Sequence, residues 1–166
     1  MNVGDPRDRA NMETTGRHLT IDEFRLMRGQ VIGRSAWILI DQTMVDQFAA
    51  VTRDRQFIHV DPERARDSLF GGTVAHGFLV LSLLSAFYAE AVPPLKDVKV
   101  GINSGFNRVR FVYPVKTGSR IRASFVLAAI EEPKPDQWRT LLEVTVEIDG
   151  ISKPALVAEW LTSWIV

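Results

Sequence analysis

Cysteine is absent from the 166-residue chain. The chain therefore forms no disulfide bridge and offers no thiolate nucleophile, no cysteine-ligated zinc and no iron–sulfur cluster. An excess of charge of one sign is also lacking, because 20 Lys and Arg balance 20 Asp and Glu. Since nucleic-acid binding depends on a basic surface, we do not expect nucleic acid as a main partner.

Long apolar runs are missing as well. The most apolar stretch, residues 78–89, has 12 residues, whereas a helix that spans a bilayer needs about 20. Residues 1–18 are polar, of mixed charge and without the apolar core of a secretory signal. We therefore expect a disordered leader over 1–18 and a soluble, cytoplasmic protein without a membrane partner.

The overall composition is that of an ordinary globular protein, with 46% hydrophobic and 24% charged residues. A chain of this length suits one domain with a sizeable core. The sequence predicts that residues 19–166 form that domain.

Helix signals dominate the first half of the chain. Thr43 and Asp46 have the spacing of a capping box, and the apolar periodicity that follows predicts a helix ending near Arg53. Asp61 followed by Pro62 predicts a second, short helix with Asp61 as its N-cap. This capping role is sufficient for Asp61, so we do not count it as catalytic.

A third helix is predicted from about Gly77 to Val92, where two prolines end it. It has almost no polar face, so other elements must surround it. Four segments rich in β-forming residues follow, separated by turn residues: 107–115, 120–131, 138–148 and 154–166. Asp149-Gly150 predicts a two-residue hairpin, and the last three segments predict an antiparallel meander. We expect an α+β fold with a curved sheet wrapped around the helix.

The candidate acid–base groups include three histidines: His18, His59 and His76. His18 lies in the polar leader and is expected to be solvated. His59 shares a predicted loop with Asp54, where the two side chains could hold one water, one accepting its proton while the other donates. Taken alone, Asp54 could equally serve the turn after its helix, and His59 could be a partly buried structural histidine.

His76 and Gly77 begin the predicted third helix. A glycine there lets a ligand approach the backbone, and its N–H could hold a carbonyl oxygen that gains negative charge during a reaction. The alternative is that Gly71, Gly72 and Gly77 only relieve crowding around a packed helix. Ser85 is a hydroxyl in an apolar stretch, and its alternative role is a bond to the carbonyl four residues earlier.

Other catalytic patterns, including the P-loop and the H-E-x-x-H zinc motif, are missing from the sequence. His59, Asp61 and His76 imitate a two-histidine, one-carboxylate iron site. However, the histidines are 17 residues apart with a predicted helix between them, so no metal is predicted. Arg108 and Arg110 alternate with apolar residues on a predicted strand, a pattern typical of a solvated face.

Residues 48–61 read FAAVTRDRQFIHVD, and residues 70–77 read FGGTVAHG before an apolar helix that contains Ser85. Together they resemble the MaoC-like dehydratase family, which includes the (R)-specific enoyl-CoA hydratases, with its signature F-A-x-[LV]-[ST]-x-D-x-N-P-x-H-x-D. One departure is Gln56-Phe57 in place of Asn-Pro, which is similar to the nodulation protein N branch. The Asp54-to-His59 spacing is kept, but the neighbouring pocket wall is altered, so no acyl preference carries over.

The resemblance implies a hot-dog fold, paired into a homodimer. It also implies reversible syn hydration of a trans-2-enoyl-CoA to an (R)-3-hydroxyacyl-CoA, with a coenzyme A thioester as substrate and no cofactor. Asp54 and His59 would hold and activate the water, and the Gly77 N–H would polarise the thioester oxygen. Ser85 and His76 would support the site.

Two other activities remain open, a hot-dog acyl-CoA thioesterase and a non-catalytic acyl-CoA-binding subunit. Such thioesterases usually place their carboxylate elsewhere than in the loop from Asp54 to His59. The intact Asp54, His59 and Gly77 argue against a non-catalytic subunit. For the coenzyme A phosphates we predict contacts with Arg108, Arg110 and Lys116.

Overall fold

The computed structural model describes residues 18–166. The predicted leader therefore lies outside the described residues, apart from His18, which is exposed as expected. The helices in the described part are α1 (Ile21–Arg25), α2 (Gln42–Thr52), α3 (Phe57–Val60), α4 (Pro62–Arg66), α5 (Gly77–Ser82) and α6 (Leu84–Ala91). The strands are β1 (Val31–Arg34), β2 (Ile38–Leu39), β3 (Val100–Phe111), β4 (Arg120–Lys134), β5 (Gln137–Ile148) and β6 (Ile151–Ile165).

A single antiparallel sheet with the strand order β1-β4-β5-β6-β3 organises the molecule, and β2 also pairs with β4. The predicted meander β4-β5-β6 and the hairpin at Asp149-Gly150 are confirmed, with Gly150 at φ +72°. A glycine adopts this left-handed backbone without the steric penalty of a Cβ. The predicted α+β class is therefore confirmed.

Strand β3 was predicted too late in the chain. It begins at Val100, seven residues before Asn107, and pairs with β6 from Val100 opposite Ile165 onward. Residues 100–104 are all exposed and include glycine, asparagine and serine, which are poor strand formers. Pairing with β6 makes this segment a strand despite its weak local pattern.

Two strands of the first half, β1 and β2, were also missed. They have four and two residues, too few to show an alternating pattern. Both are strands because they hydrogen-bond to β4.

The predicted continuous helix from Gly77 to Val92 is interrupted at Leu83, between α5 and α6. The Ser82 hydroxyl donates to the Leu79 carbonyl at 2.8 Å, a back-bond that bends helices. The sheet packs against one face of α5 and α6, in line with the predicted sheet wrapped around this helix, and Phe78 on the other face is 68% exposed. No helix within residues 18–166 is long and apolar enough to cross a membrane.

The start of α2 differs from the prediction, whereas its end agrees. Asp41, not Thr43, is the N-cap, and its carboxylate accepts the Met44 N–H at 2.8 Å. Asp41 is the acceptor because Thr43 already lies inside the first turn. The helix ends at Thr52 with Arg53 as its C-cap, in agreement with the prediction, and Asp61 caps α4 by accepting the Arg64 N–H at 3.0 Å.

The core lies between the concave face of the sheet and the buried side of α5 and α6. Along β4 and β5, buried side chains alternate with more exposed ones, as expected for a sheet with one covered face. The largest fully buried side chains are Phe24, Phe87, Phe125, Ile40, Leu84, Ile121, Leu127, Leu142 and Leu156. This core holds the start of α5 against the α2–α3 loop, where the candidate site lies.

Candidate active site

Asp54 lies two residues after the last residue of α2, in the turn that leads to α3. The preceding residue, Arg53, has a left-handed backbone with φ +64°, which reverses the chain. The Asp54 side chain is exposed, and its Oδ1 accepts the Gln56 N–H at 3.4 Å. Through this bond Asp54 serves the turn after its helix, the local role considered from the sequence. The bond is long, however, and the second carboxylate oxygen has no hydrogen bond in the described part of the chain.

His59 lies on α3 and is buried, with 7% of its surface exposed. Its Nδ1 is 2.7 Å from the Val74 carbonyl oxygen. Because a carbonyl only accepts, the hydrogen-bond network assigns the proton to Nδ1 and leaves the lone pair of the neutral ring on Nε2. No residue within 18–166 hydrogen-bonds to Nε2, so this nitrogen is available to accept a proton from a bound molecule.

Burial lowers the pKa of His59 below the 6.5 of a free imidazole, because desolvation disfavours the charged ring. The hydrogen bond to the Val74 carbonyl and the charge of Asp54 oppose this shift, whereas His76 adds to it. The lowered pKa keeps His59 neutral at pH 7, the state in which Nε2 can accept a proton.

His76 brings the two parts of the site together. It is the N-cap residue of α5, and its ring stacks on that of His59 with centroids 3.8 Å apart and planes 24° from parallel. Its Nε2 donates to the Asp54 carbonyl oxygen at 3.0 Å. One potential ligand atom from each of Asp54, His59 and His76 lies within 4.8 Å of the others. The structure therefore places the candidate pair in one cluster.

A carboxylate and two imidazoles are also a metal-binding donor set. The histidine lone pairs lie in the planes of two stacked rings, so they do not converge on one ion at a ligand distance of about 2 Å. His59 Nδ1 and His76 Nε2 are moreover engaged with backbone carbonyls. Asp61, the carboxylate considered from the sequence, is the α4 N-cap and is not part of this cluster. The geometry favours an acid–base cluster, and the absence of a metal stays a prediction.

One residue of the site was missed from the sequence. The Gln42 Nε2 donates to the His59 carbonyl at 2.7 Å, and the Gln42 Oε1 accepts the Thr73 hydroxyl at 2.6 Å. A single side chain therefore ties the helix of His59 to the segment whose Val74 carbonyl orients the His59 ring. These partners are 17 and 31 residues away along the chain, so no local pattern could have indicated them.

Gly77 is the first residue of α5, and its N–H has no backbone acceptor among the hydrogen bonds of residues 18–166. This is the normal state of an N–H in the first turn of a helix, and it leaves a donor for a ligand. A Cβ on Gly77 would lie 2.9 Å from the Phe111 ring. Relief of crowding, the alternative considered from the sequence, therefore also applies at this position.

Two clefts adjoin at the exposed Phe78. The first, of about 380 Å³, is lined by His59, Gly77 and Phe111 among others. The second, of about 570 Å³, is lined by Phe48, Thr52, Phe78, Leu81, Ser82, Leu84, Ser85, Asn103, Phe106 and Trp160. His59 lines the first cleft, and Thr52 of the second cleft accepts the Asp54 N–H at 3.4 Å, so each member of the candidate pair adjoins one of the two clefts. Ser85 lines a different cleft from His59 and Gly77, and no back-bond of its hydroxyl is present in the described part.

The three predicted coenzyme A contacts lie on two different elements. Arg108 and Arg110 are exposed on β3, and Lys116 is exposed beside Gly71 and bridges in the backbone to Val74. Within residues 18–166, none of the three cations forms an ion pair. Lys116 therefore lies beside the His59 cleft, because it pairs in the backbone with Val74. The two arginines lie on β3 instead.

Comparison with known proteins gives matches over most of the chain. Residues 24–148 match the family model described as MaoC like domain. Nodulation protein N of Rhizobium leguminosarum bv. viciae is 53% identical over 135 residues, which are 81% of this chain and 84% of that protein. The 3-hydroxyacyl-thioester dehydratase Z of Mycobacterium tuberculosis is 43% identical over 146 residues, 88% of this chain and 96% of that protein.

Among solved structures, the (R)-hydratase from Aeromonas caviae involved in PHA biosynthesis superposes with a TM-score of 0.67. It is 25% identical, and the match covers 80% of this chain and 95% of that one. The expected hot-dog fold is thereby confirmed.

Proposed function

Because this chain belongs to the MaoC-like dehydratase family, we propose that it catalyses the reversible syn hydration of a trans-2-enoyl-CoA to an (R)-3-hydroxyacyl-CoA. The observation that carries this proposal is that a carboxylate oxygen of Asp54 lies within 4.8 Å of a ring nitrogen of the buried His59, whose Nε2 makes no hydrogen bond within residues 18–166. The names of two relatives, a 3-hydroxyacyl-thioester dehydratase and an (R)-hydratase, support the same chemistry.

In this proposal one water donates its two hydrogens to the two acceptors, His59 Nε2 and an Asp54 carboxylate oxygen. The water oxygen adds to the β-carbon of the enoyl group, and one of the two residues takes the proton that the water loses. The residue that took this proton then delivers it to the α-carbon on the same face, so the addition is syn and both residues return to their starting protonation states. Positioned acid–base groups of this kind contribute rate factors of about 10² to 10⁴.

The remaining site residues serve the thioester and the acyl chain. The free Gly77 N–H donates to the thioester oxygen, which gains negative charge as the α-carbon becomes nucleophilic. Ser85 offers its hydroxyl from the wall of the second cleft, and the apolar side chains of both clefts enclose the acyl chain. These steps need neither a metal nor a redox cofactor.

The pH dependence follows from the state of His59. If the neutral ring accepts the proton, activity is lost only when pH falls through the pKa of His59, which burial lowers below 6.5. We therefore expect the acidic limb of the kcat/KM profile for crotonyl-CoA to lie below pH 6.5. A limb above pH 6.5 would contradict this assignment.

We further propose that the protein is a homodimer joined through β3. This strand is at the edge of the sheet and exposes Val100, Ile102 and Phe111, each 45–49% accessible. An exposed, apolar strand edge favours pairing with a second copy.

Light scattering should give about twice the chain mass of 18.7 kDa at micromolar concentration. Ile102→Lys, which places a charge on the exposed strand, should shift the protein toward monomer. Ile151→Lys is the matched control, because Ile151 is equally exposed (44%) but lies at the β5–β6 turn. A wild-type monomer at this concentration would refute the dimer.

Coenzyme A phosphates are proposed to contact the three unpaired cations. The triple charge reversal Arg108→Glu, Arg110→Glu and Lys116→Glu should raise KM for crotonyl-CoA by about tenfold or more, because charge-assisted hydrogen bonds to phosphate are lost. KM for crotonyl-pantetheine, which lacks the nucleotide phosphates, should stay the same. The matched control is the reversal of the exposed Lys96 and Lys134. An unchanged KM for crotonyl-CoA in the triple variant would overturn the assignment.

A spectrophotometric assay with crotonyl-CoA and a longer enoyl-CoA tests the function itself. Hydration removes the absorbance of the conjugated enoyl thioester without releasing a thiol, and the product should be the (R)-3-hydroxyacyl-CoA. Release of free coenzyme A would instead indicate the thioesterase. Binding without turnover would indicate the non-catalytic subunit.

A further inference from the structure

The side chain of His76 does not cap the helix that it begins. Only 2% of its surface is exposed, and its imidazole makes no hydrogen bond to the first turn of α5. Asp41 and Asp61, the N-caps of α2 and α4, do accept such N–H groups. The His76 ring is directed instead toward the Asp54 carbonyl, so its task lies in the cluster rather than in the helix.

Asp54 depends on this contact for its position. The bond from His76 Nε2 is 3.0 Å long, whereas the bonds that Asp54 makes with Thr52 and Gln56 are 3.4 Å. Asp54 also follows Arg53, whose left-handed φ of +64° is unfavourable for a residue with a Cβ. Such a backbone persists only when surrounding contacts hold it, and the His76 bond is the shortest of those at Asp54.

The second nitrogen of the His76 ring offers a separate observation. Nδ1 is buried and has no hydrogen-bond partner among residues 18–166. A buried polar nitrogen without a partner is unfavourable, so packing alone would favour an apolar ring here. An apolar ring at this position would lack the Nε2 donor. An open-chain side chain would lack the stack on His59.

We propose that His76 is a positioning residue that fixes Asp54 relative to His59, an inference that rests on the proposed hydratase function. Its Nε2–H holds the Asp54 backbone, and its stacked ring sets the plane of the His59 imidazole. The two acceptors thereby face one water. Without the Nε2–H donor, Asp54 keeps its carboxylate but spends less time in the reactive orientation, and displacements of about 1 Å can reduce rates by up to 10²-fold.

His76→Phe tests this role, because phenylalanine keeps the stacked ring and removes only the donor and the unpartnered Nδ1. We expect kcat for crotonyl-CoA to fall by about 10- to 100-fold while KM changes less than about twofold. The thermal midpoint should stay close to that of the wild type. His18→Phe, at the exposed histidine, is the matched control and should retain full activity.

His76→Gln provides the rescue, because its amide nitrogen reaches the place of Nε2, whereas the shorter Asn stops near Nδ1. His76→Gln should retain more kcat than either His76→Phe or His76→Asn. The comparison of Gln with Asn carries the same test if His76→Phe fails to fold. Equal kcat in all three variants, or wild-type kcat in His76→Phe, would overturn the positioning role.

The Asp54→Asn background separates this inference from the function on which it rests. If His76 acts through Asp54, adding His76→Phe to Asp54→Asn should lower kcat little further. The same loss in both backgrounds would show that His76 acts independently and would refute only the positioning role. A fully active Asp54→Asn enzyme would refute the proposed mechanism itself.

Discussion

Asp54→Asn is expected to lower kcat for crotonyl-CoA by roughly 10²-fold or more while the chain stays folded. Asparagine keeps the size of the side chain and can still accept the Gln56 N–H, but its amide does not take a proton. The exposed position of Asp54 makes a large change in stability unexpected. Steady-state hydration kinetics with circular dichroism on the same sample measure both quantities.

Asp61→Asn is the matched control, because Asp61 is seven residues away along the chain and serves as the α4 N-cap. Asparagine caps helices about as well as aspartate, so kcat should stay nearly intact. The mechanism would be wrong if Asp54→Asn were a fully active hydratase, or if Asp61→Asn were the inactive variant.

His59→Ala is expected to lower kcat by a similar factor of roughly 10² or more, because it removes the other acceptor of the water. The double variant with Asp54→Asn should be little worse than either single variant, since residues that act as one unit are strongly non-additive. Rates of all three variants on crotonyl-CoA give the coupling directly.

Losses that simply multiply in this double variant would show two independent contributions instead of one shared water. His59→Ala also removes the hydrogen bond to the Val74 carbonyl, so its thermal midpoint must be measured alongside. His59→Gln is the companion variant, because its amide still fills part of the space and separates a packing loss from a loss of proton transfer.

The features that could be predicted from the sequence are those with a local cause. Asp61 caps its helix and Gly150 turns its hairpin because each needs only the backbone within a few residues. The meander follows from alternating side chains, and the spacing of Asp54 and His59 follows from a short motif. The catalytic roles of Asp54, His59, Gly77 and Ser85 stay predictions.

The features that could not be predicted from the sequence have partners far away in the chain. Strand β3 starts at Val100 because β6 pairs with it, and β1 and β2 are strands because β4 is beside them. The sheet also covers only one side of α5 and α6, which leaves Phe78 exposed between the two clefts.

The chemistry of the site depends most on such distant contacts. The Val74 carbonyl, 15 residues from His59, determines which His59 nitrogen carries the proton, and burial lowers the pKa of that ring. His76 reaches Asp54 across 22 residues. The order of the residues sets which side chains are present and where the chain turns. Only the packing of α5 against the α2–α3 loop decided the tautomer, the stacking and the spacing, because hydrogen bonding and desolvation depend on neighbours in space rather than along the chain.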